Sequence, residues 1–114
     1  MDTATKRLKA LADPGRLSVM ALIESVDEVC VCKLESALGL PQPTVSRHLN
    51  KLKEAGWLAE RREGRWIHYR LADAAETDWR KLLRQVLSQV TDDEPIVMAK
   101  QKLMQLLTEE SSCI

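Results

Sequence analysis

The chain has 114 residues, a length that predicts one domain and leaves no room for two. Its 17 Lys and Arg residues balance 17 Asp and Glu residues, and 45% of its residues are hydrophobic, which supports a packed core and excludes wholesale disorder. No apolar run reaches the roughly 18 residues of a membrane span, and the first residues lack the apolar stretch of a signal peptide. We therefore expect a cytoplasmic protein with no membrane partner.

Two short helices open the predicted fold. Residues Lys6 to Leu11 have a helical apolar face. The second helix begins at Asp13 and Pro14, because Asp is a favourable N-cap and Pro lacks the N–H that the first turn would leave unsatisfied. Its apolar residues recur with helical spacing up to about Ser25.

Two further helices are predicted on either side of a short turn. Asp27 can cap the third helix, which runs to Leu38. The fourth helix covers about residues 43–55 and buries Val45, Leu49 and Leu52. The intervening Gly-Leu-Pro-Gln segment has the length and chemistry of a helix-turn-helix turn.

The periodicity then changes from helical to alternating. Residues 57–62 and 66–71 flank Glu-Gly-Arg and predict a β-hairpin, here called the wing. A helix at about 75–91 and a C-terminal helix with a polar tail at 94–114 complete the chain. The predicted fold is mainly α with a β-hairpin wing, a single winged helix-turn-helix domain over residues 1–114 with the helix-turn-helix at about 31–55 and the wing at about 57–71.

The neutral net charge conceals a basic stretch. Residues 42–70 contain seven Lys or Arg residues against three Glu residues, which favours a polyanionic partner at one surface. Charge alone would favour an ordinary solvated surface. The order of helix, turn, helix and basic hairpin favours double-stranded DNA, because the start of the second helix of such a motif enters the major groove.

Candidate DNA-binding residues lie on the polar side of the fourth helix and on the wing. The residues at the start of that helix carry short hydrogen-bonding or cationic side chains suited to base edges, namely Gln42, Thr44, Ser46 and Arg47. His48 and Lys51 are expected nearer the DNA backbone. The wing contributes Arg61, Arg62 and Arg65, which can reach phosphates or the minor groove.

Three runs of the sequence resemble the ArsR family of winged-helix metalloregulatory repressors. They are DPGRLSVMALI at 13–23, VCVCKLESALGLPQPTVSRHLNKLKEAGWL at 29–58 and RREGRWIHYRL at 61–71. The resemblance covers about residues 8–71 and extends more loosely through the helix at 79–90, and PTVSRHLNKLKEAG followed by RREGRWIHYRL is highly specific in combination. The resemblance implies a repressor that binds operator DNA as a homodimer and leaves it when an ion binds.

The resemblance also implies where two copies pair. Members of the family pair through the first helix and the helix that follows the wing. In this sequence the wide apolar stripe of the later helix agrees with such pairing, although a simple core helix is the alternative. The expected interface residues are Leu8, Leu11, Trp79, Leu82, Leu83, Val86, Leu87 and Val90.

Cys30 and Cys32 give the clearest indication of a chemical function in the sequence. Free thiolates in a reducing compartment suit soft ions, whereas small buried apolar side chains are the equally good alternative from spacing alone. Residues i and i+2 of a helix point to nearly opposite sides, so both sulfurs reach one ion only if Cys30 lies at or before the helix start or if the first turn distorts. The run EVCVCKL resembles the ELCVCDL box of the arsenite- and antimonite-sensing branch, which implies As(III) or Sb(III) as inducer, with Cd(II) and Pb(II) as alternatives.

The third ligand departs from that box. The position three residues after the second cysteine holds Glu35, a hard carboxylate that suits As(III) poorly. Cys113 is the remaining cysteine, and either it completes a three-thiolate site from the same or the opposite subunit or it is an unpaired tail residue. The zinc site of other branches is not expected, because no histidine follows His68.

Three other functions compete with the metalloid-responsive repressor. A thiol redox repressor of the same fold would release DNA on cysteine oxidation. A small thiol oxidoreductase or metal-detoxifying reductase is disfavoured, because the sequence has no Cys-x-x-Cys, no βαβ pattern and no glycine-rich phosphate loop. A protein-interaction module without DNA is the last alternative. We therefore expect no enzyme activity and no catalytic cofactor.

Overall fold

A computed structural model describes residues 2–72 and 77–108. It contains six α-helices and three β-strands within those residues, in the order α1 (Asp2–Leu11), α2 (Pro14–Glu24), β1 (Val29–Cys30), α3 (Val31–Leu38), α4 (Gln42–Glu54), β2 (Leu58–Glu63), β3 (Trp66–Leu71), α5 (Thr77–Ser88) and α6 (Glu94–Thr108). No helix in this part of the chain is both long and apolar enough to cross a membrane.

Local sequence chemistry sets the bounds of α2 and α3. The Asp13 carboxylate accepts a hydrogen bond from the Arg16 backbone N–H at 3.0 Å, which confirms the predicted N-cap. Helix α3 ends at Gly39, whose φ of 66° is the left-handed conformation that glycine adopts without a side-chain clash. The chain then turns through Leu40 and Pro41 into α4, so α3 and α4 form the expected helix-turn-helix.

The sheet has three antiparallel strands in the order β1-β3-β2. The wing is the β2–β3 hairpin, in which Glu63 pairs with Trp66 and Leu58 pairs with Leu71. Strand β1 was not predicted. Asp27 does not cap α3, but the helix begins at Val31, the start expected for the helix-turn-helix. The two residues before it pair with β3 instead, Cys30 opposite His68.

The core lies between α2 and the elements around it. Five consecutive residues of α2, Val19–Ile23, are buried, so this helix is enclosed on most sides. Trp57, at the end of the helix-turn-helix, is fully buried and donates its indole N–H to the Arg7 carbonyl at 2.9 Å. Its ring meets Trp79 edge to face at a centroid distance of 5.9 Å, which attaches α5 to the core.

Candidate functional site

The two cysteines of the CVC segment converge at the start of α3. Cys30 ends β1 and is the N-cap of α3 with φ −82° and ψ 152°, and Cys32 is the second residue of the helix. Because Cys30 has extended backbone, the helical geometry that would separate the two side chains does not apply. Their Sγ atoms lie 2.9 Å apart, with Cys30 buried and Cys32 half-buried. The condition under which both sulfurs reach one ion is therefore met.

The sulfurs face a cleft between α3, α4 and the wing, here called the thiol cleft. Its volume is about 560 Å³. Candidate DNA-binding residues line it alongside the cysteines, from α4 on one side and from the wing on the other, namely Gln42, Ser46, Arg62 and Arg65. A ligand of the two sulfurs would therefore lie beside side chains expected to contact DNA.

A polar network spans the thiol cleft and joins α4 to the wing. The Lys53 ammonium lies 2.9 Å from the Glu60 carboxylate, and the Tyr69 hydroxyl donates to the same carboxylate at 3.1 Å. The hydrogen bond from Lys53 holds the pKa of Glu60 below its usual value. Burial, reinforced by the hydrogen bond to Glu60, raises the pKa of Tyr69 to about 12, so the phenol stays protonated near neutral pH.

The described residues supply two sulfur donors to this site. Among residues 2–72 and 77–108 no three His, Cys, Asp or Glu side chains form a group that could hold a metal ion. Glu35 lines the thiol cleft, and Leu107, near the end of α6, lines a neighbouring cavity together with Cys30. The expected third ligand, Cys113, lies outside the described residues.

The recognition helix, α4, presents most of its predicted DNA-binding residues to solvent. Arg47 and Lys51 are exposed, Thr44 is half-buried, and the exposed Gln42 amide donates to the Ser46 hydroxyl at 2.9 Å. These side chains remain available for hydrogen bonds and phosphate contacts.

His48 departs from the expected placement near the DNA backbone. Its side chain is only 12% exposed and lies against the start of α2, with Nδ1 4.0 Å from an Asp13 carboxylate oxygen. Burial lowers the pKa of His48, and the nearby Asp13 carboxylate offsets this in part. His48 therefore packs α4 against α2 and does not lie on the open face of α4.

The three wing arginines fall into two groups. Arg62 and Arg65 are exposed, and the Arg65 guanidinium lies 5.2 Å above the Trp66 ring. Arg61 instead forms ion pairs within the chain, at 2.6 Å with Glu28 and 3.1 Å with Glu63. The hydrogen bond from Arg61 lowers the pKa of Glu28. Two carboxylates thus already neutralise Arg61, which weakens its expected role at DNA.

The structure divides the expected dimer-interface residues. Leu11, Leu83 and Leu87 are at most 7% exposed in the isolated chain, so they belong to its own core and not to a contact between copies. These three side chains therefore offer little surface for the expected contact between copies. The residues that stay accessible are Leu8, which is 50% exposed, and the half-buried Trp79, Leu82, Val86 and Val90.

Several polar residues of the site gave no signal as functional residues in the sequence. Glu28, Lys53 and Glu60 anchor the wing and the thiol cleft through the ion pairs described above. Their sequence signal was only a mixture of charges, which is typical of any solvated surface. Their partners lie up to 33 residues away, so the contacts depend on the fold.

Comparisons with known proteins place this geometry among transcription regulators. Residues 13–59 match the model of the bacterial regulatory protein family arsR. The chain is 48% identical over 64 residues to the arsenical resistance operon repressor of Escherichia coli K12, a match that covers 56% of this chain and 55% of that protein. It is 43% identical over 72 residues to an uncharacterized HTH-type transcriptional regulator of Methanocaldococcus jannaschii, covering 63% of this chain and 81% of that one.

A solved structure agrees over a larger share of the chain. The homodimeric winged helix-turn-helix DNA-binding domain of a Mycobacterium bovis protein, described as a possible ArsR-family transcriptional regulator, superposes with a TM-score of 0.67 at 30% identity. The superposition covers 82% of each chain. The match to the E. coli repressor, by contrast, spans only about half of that relative's length.

Proposed function

The chain belongs to the ArsR family of bacterial regulatory proteins, and from this premise we propose that it is a homodimeric repressor that binds operator DNA in the cytoplasm. We further propose that it controls an arsenic-resistance operon and leaves its operator when As(III) or Sb(III) binds Cys30 and Cys32. The names of relatives support the arsenic assignment, since the E. coli protein is an arsenical resistance operon repressor.

The observation that carries the proposal is the convergence of two sulfurs beside the recognition helix. The Sγ atoms of Cys30 and Cys32 lie 2.9 Å apart and line the same cleft as Gln42 and Ser46. Thiolates are the protein ligands that soft, thiophilic ions prefer. Four other residues that line the thiol cleft are expected to contact DNA, which favours a regulator over an enzyme that uses these thiols; they are Gln42, Ser46, Arg62 and Arg65.

The position of Cys30 gives a physical route from ion binding to DNA release. Its backbone pairs with His68 of the wing, and it caps α3, which packs against α4. A change in the two side chains on ligation therefore acts on both DNA-contacting elements. A typical coupling of about 1–3 kcal/mol would weaken DNA binding roughly 5- to 150-fold, provided that the ion binds the low-affinity state better.

The experiment is fluorescence anisotropy of the reduced protein on the promoter DNA upstream of its own gene, titrated with arsenite. We expect release at near-stoichiometric arsenite, and loss of that response in Cys32→Ser with DNA binding retained. Ser36→Ala is the matched control, because it changes an exposed residue of the same helix by one side-chain atom. Absence of DNA binding by the wild-type protein would contradict the repressor, and binding that arsenite leaves intact would contradict the inducer.

Cys113 is proposed as the third thiolate of the site. Leu107 and Cys30 line one cavity, so α6 brings the chain close to the cysteine pair six residues before Cys113. A fully extended chain spans about 3.3–3.6 Å per residue, so the intervening residues are long enough for a contact within one subunit. Cys113→Ser is expected to raise the arsenite concentration needed for release, and an unchanged titration would exclude Cys113 from the site.

A thiol redox repressor is the second candidate, favoured by the contact between the two sulfurs. Two cysteines this close can form a disulfide on loss of two electrons and two protons to an oxidant such as peroxide. The same anisotropy assay separates the two functions: peroxide would release DNA without any ion, and a dithiol reductant would restore binding. Titration with Cd(II) and Pb(II) tests the alternative inducers.

A further inference from the structure

A second basic surface lies on the far side of α4 from the thiol cleft. Lys6 and Lys9 of α1, Arg16 of α2 and Lys51 of α4 surround a cleft of about 310 Å³, here called the basic cleft. Glu54 is the acidic residue among its lining residues. Four cations from three helices therefore face one concave surface.

The charges of the basic cleft are accessible. Lys6, Lys9 and Lys51 are exposed, and in the part of the chain that the structure describes no acidic side chain lies within 4.0 Å of their ammonium groups. Arg16 is held in place by its own donors, with Nε bonded to the Ala10 carbonyl at 2.6 Å. The cleft thus combines one fixed cation with three that are free to reach an anion.

The basic cleft is continuous with the recognition helix. Lys51 follows Thr44 by seven residues and therefore lies on the same flank of α4, two turns further along. Gln42 and Ser46 line the thiol cleft on the other flank. An anion that runs past the exposed Arg47 would reach Lys51 next, and then the lysines of α1.

The same geometry keeps the basic cleft clear of the expected dimer contact. Lys6 and Lys9 are three residues apart on α1 and share a side of the helix, whereas Leu8 projects from the other side. The buried Arg7, Ala10 and Leu11 lie between these two edges. Pairing of two copies through Leu8 would leave the lysines facing solvent.

We propose that the basic cleft binds the phosphate backbone of operator DNA beside the bases that α4 reads. The inference rests on the proposed DNA binding and extends the contact surface to α1 and α2, which the sequence did not indicate. DNA carries one phosphate charge per strand at about every 3.4 Å, so a row of cations along one side of a recognition helix matches it. These contacts hold the helix in register and carry no base specificity.

The test is the salt dependence of DNA binding by Lys6→Gln/Lys9→Gln. Each lost phosphate contact lowers the slope of log affinity against log salt by about 0.9, and the proposed homodimer carries each lysine twice, so the double variant is expected to lose about 3.6 of the wild-type slope. Its affinity is expected to fall by the same factor for the promoter duplex and for a scrambled duplex, because the contacts are not specific for bases. The single variants are expected to lose about 1.8 each, one contact from each of the two subunits.

The matched control is Lys100→Gln/Lys102→Gln on α6, which removes the same charge from another surface. A slope equal to that of this control would overturn the proposal, as would a fall in affinity without a change in slope. Thermal unfolding and sedimentation of each variant check that fold and dimer are retained. Failure of the proposed function is distinguishable, because the wild-type protein would then bind neither duplex.

Discussion

Replacement of Gly15 by alanine tests how closely α2 and the recognition helix approach each other. A Cβ atom at Gly15 would lie 2.5 Å from Nε2 of His48 and 3.1 Å from an Asp13 carboxylate oxygen. A separation of 2.5 Å is well inside van der Waals contact, so something must move. The His48 ring is only 12% exposed and its Nδ1 atom is buried, so the ring has little room to turn aside.

The size and sign of the effect follow from two opposing contributions. Alanine favours helix over glycine by about 1 kcal/mol, less in the first turn. Insertion of an atom into a packed contact costs about 1–3 kcal/mol. We expect Gly15→Ala to lower the free energy of unfolding by about 1 kcal/mol in the wild-type background. In His48→Ser the obstacle is gone, and the same substitution is expected to raise it by about 0.5 kcal/mol.

The assay is equilibrium urea unfolding of the four proteins of this double-mutant cycle at constant protein concentration. A coupling free energy of about 1–2 kcal/mol between positions 15 and 48 is expected. Gly39→Ala is the control, since its positive φ makes it destabilising with open space around the Cβ and without any involvement of His48. A stabilising Gly15→Ala in the wild-type background, or a coupling no larger than that of the control, would refute the argument.

Three further predictions concern charge and packing. Burial lowers the pKa of His48 in the folded state below the unfolded value of about 6.5. The unfolded state therefore binds the proton first, and the free energy of unfolding falls as pH drops from 7.5 to 5.5. His48→Gln should flatten that decline in urea midpoints, and parallel declines would disprove it. Arg61→Gln should weaken DNA binding less than Arg62→Gln, because Arg61 is already paired; the reverse order in anisotropy would contradict this. Leu83→Ala should lower the free energy of unfolding by about 2–5 kcal/mol, because Leu83 is fully buried. Leu8→Ser should mainly weaken the dimer in sedimentation, because Leu8 is exposed. Equal effects of the two substitutions on the free energy of unfolding would argue against a core role for Leu83 and an interface role for Leu8.

The elements defined by local chemistry were predictable from the sequence. The Asp13 cap, the left-handed Gly39 and the turn at Gly64 each depend on residues within a few positions of one another. Strand β1 was not, because it depends on the pairing of Cys30 with His68, a residue 38 positions away. A sequence pattern indicates that Asp27 can cap a helix, but it does not indicate that a strand of the wing competes for the same backbone groups.

The predictions about the candidate site also divide between local contacts and contacts with distant elements. The proximity of Cys30 and Cys32 depended on a local condition, the helix start, and that condition was stated from the sequence. The placement of His48, Arg61 and Leu83 depended on partners in other elements. All three are residues whose type suits two environments: histidine packs or binds phosphate, arginine pairs with carboxylate or phosphate, and leucine fills a core or an interface. Only the tertiary contact decides between them.

The arrangement of the two clefts has a consequence for how the proposed repressor would release DNA. The thiol cleft lies on one flank of α4 and the basic cleft on the other, so the recognition helix stands between the proposed ion site and the proposed phosphate contacts. A rotation of α4 driven from the sulfur side would move Lys51 and Arg47 together, away from a fixed phosphate row. Loss of these contacts in both subunits would lower DNA affinity, and release requires a coupling of about 1–3 kcal/mol in total. In the proposed arrangement a small displacement of α4 would separate both side chains from the phosphates without unfolding of the helix-turn-helix.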